Sequence, residues 1–111
     1  MSRLTILAEV AVERRKQHKR WGVQDLPIED VLSLEGDKLA ADSYKRINDL
    51  RLSIGIPCFR DILMEEVYEA VSETTPDRQR EELVQVAAVA VQMIERIDRN
   101  NRKPGLFKRK K

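Results

Sequence analysis

The sequence of 111 residues predicts an all-α fold, a four-helix bundle completed by oligomerisation. Three observations lead there. Charged residues make up 36% of the chain and Ala, Val, Leu and Ile dominate the remainder, with only two Phe, two Tyr, one Trp, four Gly and four Pro; that balance suits helices and not a sandwich or barrel. Apolar residues recur every three or four positions. No alternating stretch longer than chance, and no internal repeat, is visible.

The first helix is expected from about Arg3 to Arg20, with Ser2 as N-cap and Leu4, Leu7, Ala8 and Ala11 at helical spacing. Gly22 is a natural stop, and Trp21 to Pro27 reads as a loop. The second helix follows from Leu39, Ala40, Tyr44, Ile47, Leu50 and Ile54 and is placed from about Asp37 to Ser53, with a short helical turn before it at 29–34; Gly55 and Pro57 end it. The third is expected from Phe59 to Glu73 and the fourth from Asp77 to Asp98, with Thr75-Pro76 as N-cap and first-turn proline. A link this short makes the last two helices an antiparallel hairpin. The fourth carries Leu83, Val84, Val86 to Val91, Met93, Ile94 and Ile97, leaving a thin polar strip; such a helix is buried on most sides, and a chain of this size needs a second copy to cover it. A homodimer or homotetramer built on this helix is therefore expected.

Residues 1–100 read as one helical domain and 101–111 as a basic tail. Residues 99–111 hold seven basic groups and no acid, leaving fourteen basic and nineteen acidic groups in the body, a net of −5. Such a tail is either a solvated end or a contact for nucleic acid. The single cysteine, Cys58, permits no internal disulfide and fits a reduced, cytoplasmic setting. Glu9, Glu13 and Arg14 interrupt any signal-peptide core, and no run of about 18 apolar residues exists to span a membrane.

The chemistry gathers in Glu65-Glu66-Val67-Tyr68-Glu69. On a helical wheel Phe59, Leu63, Val67 and Ala70 define the core direction, Glu66 lies at the edge of that face with Glu69 beside it, and Glu65 points further to solvent. About the turn near residue 75, Glu69 comes level with Glu82 and Glu66 with Gln85, at a rise of about 1.5 Å per residue. Four oxygen-bearing side chains can thus form a square between two helices, a hard-ligand set suited to Mg2+. The alternative is a solvated acidic face. With His18 the only histidine, zinc has no ligand cluster.

Glu65-Glu66-x-x-Glu69, then Glu82-Leu83-Val84-Gln85 with its Ala/Val-rich continuation, resembles the MazG-like branch of the all-α nucleoside triphosphate pyrophosphohydrolases, whose pattern is EExxE, a spacer and ExxD on two helices. Lys19-Arg20-Trp21-Gly22-Val23-Gln24 is similar to the KWGxQ segment near the start of phage and actinobacterial MazG-like proteins. The similarity covers roughly residues 10–98 and is weakest over 28–57. It implies hydrolysis of a nucleoside triphosphate to the monophosphate and pyrophosphate with Mg2+, or Mn2+, held by Glu66, Glu69, Glu82 and Gln85, and Glu65 or Glu69 taking the proton of the attacking water. Gln85 stands where the family usually has Asp; its amide offers an oxygen with one negative charge fewer, which predicts weaker magnesium binding.

Among basic groups at the end of the first helix, Lys19 and Arg20 are candidates for the phosphate tail, against the simpler role of a solvated helix end. Trp21 either stacks on a base, with Gln24 reading its edge, or packs over the bundle end. Tyr44, Lys45, Asn48 and Asp49 form a polar stripe that either contacts sugar or base or is an exposed face. Two rival functions are a non-catalytic nucleotide- or nucleic-acid-binding protein using the basic tail, and a helical oligomerisation module.

Overall fold

The computed structural model describes residues 2–102, and these form four α-helices and a 3-10 turn with no strand among them. α1 spans Arg3–Trp21, α2 Leu34–Ser53, α3 Phe59–Ser72 and α4 Pro76–Arg102, with the 3-10 turn at Val31–Ser33. Two expected boundaries move. The second helix begins at Leu34 and not Asp37, because Asp30 organises the chain ahead of it: its carboxylate accepts from the Leu32 N–H at 3.1 Å and from the Ser33 hydroxyl at 2.9 Å. The fourth helix continues past Asp98 to Arg102, with no glycine or proline in the stretch to break it. It thereby crosses the boundary expected at 100. The basic segment 103–111, with its expected nucleic-acid contact, lies outside the described residues.

Contacts group the described chain into two units. One consists of α1, the loop to Leu26 and α4 from Val91 onward. Ser2 caps α1 by accepting from the Thr5 N–H at 3.1 Å. At its other end Gly22, at φ 70°, donates its N–H to the His18 carbonyl; a side chain there would be strained, which is why the helix stops at this glycine. Ile6 and Val91 are the buried apolar residues of this unit, and Arg3 pairs with Glu95 at 2.9 Å.

The second unit runs from Pro27 to Ala90 and holds α2, α3 and the first half of α4. α2 packs on α3 through apolar and polar contacts alike. The Tyr44 and Tyr68 rings stack with centroids 5.8 Å apart. Asp61, only 4% exposed, is paired with Arg51 at 2.8 Å and Arg60 at 2.7 Å, and Arg51 also donates to the Ile56 carbonyl. A carboxylate so buried would be costly to the fold without such pairing.

α3 and α4 fold back on each other, as the short link requires. Glu73 accepts from the Thr74 and Thr75 N–H groups and holds the turn closed; these bonds, the Thr75 one foremost, and the charges of Arg78 and Lys38 keep its pKa below the usual carboxylate value. Gln79, buried, reaches across to donate to the Ala70 carbonyl at 3.1 Å. That carbonyl belongs to the last turn of α3, where it also accepts from the Glu73 N–H at 3.4 Å, so the amide adds a second donor from α4 at the helix end.

Candidate metal and phosphate site

The carboxylates expected to meet across the hairpin do so. Glu66 and Glu69 are one turn apart on α3, Glu82 comes from the facing stretch of α4, and one carboxylate oxygen from each lies within 4.8 Å of the others. All three side chains are half-buried. Glu66 Oε1 and Glu82 Oε2 are fully buried and have no hydrogen-bond partner. A buried carboxylate oxygen without a donor is costly, so this grouping gains free energy from any cation that enters it.

The electrostatics carry the same signature. Glu69 is pushed up to about 7, first by burial and then by the charges of Glu65, Glu66 and Glu82. Glu66 is raised in the same direction, again by burial first and then by Glu82 and Glu65. Adjacent ligands in a magnesium octahedron stand about 3 Å apart, so oxygens within 4.8 Å of one another would draw closer to share one ion. Carboxylate oxygen is the right chemistry for a hard divalent cation.

Gln85, expected as the fourth ligand, is exposed one turn beyond Glu82, and the gathered oxygens come from the three glutamates. Glu65 departs from its expected solvent orientation: Asn48 on α2 donates to Glu65 Oε1 at 2.7 Å, and the side chain is half-buried. A wheel of α3 alone sees no partner on α2 and so places this residue too far outward.

Beside the cluster opens a cleft of about 530 Å3 whose walls include Glu69 and Glu82 together with Lys38, Asp42, Lys45 and Arg78. Two carboxylates of the cluster therefore share this cleft with three cations. Lys45 was expected from the sequence as part of a stripe; Lys38 and Arg78 were not. The signal for them was present. Lys38, Ala41, Asp42 and Lys45 fall at i, i+3, i+4 and i+7 and so share one face of α2, and Arg78 stands four residues before Glu82.

The rest of the stripe divides. Tyr44 is engaged with Tyr68, Asn48 with Glu65 and the Asp61 carbonyl, and Asp49 is exposed. Lys19, Arg20, Trp21 and Gln24 belong to the unit containing α1 and are all exposed. There the Arg20 guanidinium covers the Trp21 ring at 4.9 Å from its centroid. Among the described residues no helix is long and apolar enough to cross a membrane. No protein-family model, curated protein or solved structure matches the chain.

Proposed function

We propose that the protein is a magnesium-dependent nucleotide pyrophosphohydrolase of MazG-like type, converting a nucleoside triphosphate and water to the monophosphate and pyrophosphate. The observation that carries this reading is the convergence of Glu66, Glu69 and Glu82 on one point with two buried oxygens left without partners. Magnesium held there would neutralise phosphate oxygens and orient a water.

The chain's own groups then have distinct tasks. Lys38, Lys45 and Arg78 line the adjoining cleft and bind the anionic phosphates, opposing the negative charge of the cluster. Glu65 stands next to the ligand set and takes a proton from the attacking water, whose oxygen forms the new bond to the α-phosphorus as the bond from that phosphorus to the bridging oxygen breaks and pyrophosphate leaves. Glu69 is the less suitable base, because it is one of the three converging carboxylates.

Self-association completes the proposal. Leu83 and Val84 on α4 are 40% and 55% exposed, an apolar surface that a second copy would cover.

The test is pyrophosphate release from a panel of ribo- and deoxynucleoside triphosphates with magnesium. Wild type should turn over at least one of them, and Glu66→Gln and Glu82→Gln should each abolish the reaction. Undiminished turnover in both variants would remove this site from the account.

A further inference from the structure

We infer that Asn48 is the positioning residue of this site, acting on the reaction through Glu65 and not through the substrate. The inference rests on the proposed hydrolysis and assigns a task to a residue of α2 that contributes neither a charge nor a ligand to it.

The geometry is specific. Asn48 Nδ2 donates to two acceptors at once, the Asp61 backbone carbonyl at 3.0 Å and Glu65 Oε1 at 2.7 Å. Both partners are oxygens that can only accept, so the amide is fixed with its NH2 towards α3; the flipped orientation would set oxygen against oxygen. Both donors are consumed by these bonds and none is left for a base or a sugar. The bond to Asp61 matters as much as the bond to Glu65. Asp61 is the most buried carboxylate of α3 and is clamped by Arg51 and Arg60, so its backbone is a fixed point to which the amide is tied. Asn48 thus transfers the rigidity of the Asp61 anchor to a flexible glutamate one turn further along α3.

Glu65 needs such a restraint. It precedes Glu66 directly and its charge bears on both Glu66 and Glu69. Left free, a carboxylate repelled by these neighbours would swing away into solvent. A charge-assisted bond at 2.7 Å holds it beside the cluster, and a carboxylate offers about four lone-pair positions, so one bond to Asn48 leaves capacity to accept a proton from water. A neutral donor restrains the group without forming the ion pair that a lysine would make there.

The test is a double-mutant cycle between Asn48→Leu and Glu65→Gln in the full chain, with the four deoxynucleoside triphosphates and magnesium as probe. Asn48→Leu should lower kcat about 10- to 100-fold while KM and magnesium affinity stay within about twofold. In the Glu65→Gln background it should lower kcat no further. Asn48→Asp, of the same shape but with no amide donor, should reproduce the loss while the variant still melts cooperatively. A rise in KM with kcat retained would make Asn48 a substrate contact and overturn the inference. Equal losses in both backgrounds would make it a packing residue and overturn it too. Both results require an active wild type, so they leave the hydrolytic reading standing; a wild type that binds magnesium yet releases no pyrophosphate sinks that reading and this inference together.

Discussion

Protonation of Glu69 should stabilise the metal-free protein, so that its stability falls as pH rises from about 5 to about 8. Burial and three neighbouring carboxylates lift this group from its ordinary value of 4.5 to about 7 in the folded state. Between those values the native chain holds a proton that the unfolded chain has released, so each step up in pH favours unfolding until the native group has ionised. Full burial would make the effect about 3 kcal/mol. Glu69 remains partly open to solvent, and screening reduces it to about 1–2 kcal/mol. For a domain of this size that is a difference in Tm of about 5–10 °C. Glu66 is raised by the same causes and adds in the same sense. Glu73 is lowered, so what it contributes is lost only as pH falls below 4.5, outside this window. The assay is calorimetric melting in EDTA at pH 5, 6, 7 and 8. Wild type should lose Tm across the series, Glu69→Gln should show a markedly flatter profile with a higher Tm at pH 8, and magnesium should restore most of the loss to wild type. A wild-type Tm that climbs from pH 5 to pH 8, with Glu69→Gln the less stable at pH 8, would refute the reasoning.

Other outcomes follow from the same structure. Arg51→Ala should destabilise by about 2–3 kcal/mol in urea unfolding, because it strips a buried carboxylate of its better-shielded partner; Arg60→Ala should cost under about 1 kcal/mol, since Arg60 is 69% exposed against 38% for Arg51. Equal costs would show that burial of the cation does not matter here. Gln79→Ala should cost about 1 kcal/mol by removing the shorter of two hydrogen bonds to the Ala70 carbonyl, and unchanged unfolding would mean that water replaces the amide without loss. Sedimentation velocity at micromolar concentration should give a dimer or larger species; a monomer throughout would remove the proposed association through α4.

What could be read from the sequence was what depends on spacing along one helix or across one tight turn. Ser2, Gly22 and the Thr75-Pro76 link mark ends that the structure keeps. Counting residues either side of the turn was enough to bring Glu69 and Glu82 together, because a short link leaves little freedom of register. The same counting gave Gln85 a place among the ligands, but level height on two rods does not fix the direction in which a side chain leaves its rod, and Gln85 is exposed. What α2 contributes was hardest to read. Its docking on α3 includes the pair between Arg51 and Asp61, a link between two helices that no periodicity within either one announces. The bond from Asn48 to Glu65, and the place of Lys38 in the cleft, both depend on that docking.

The Gln79 crosslink bears on how the acidic centre tolerates change. An uncharged amide joined to a carbonyl responds neither to acid nor to ionic strength, whereas the glutamates nearby respond to both. The two rods are therefore pinned together by a fastener blind to the events it must survive. Under the proposed metal binding, loading or emptying the centre would alter its charge while the hairpin kept its alignment, so the next ion would meet an arrangement already assembled.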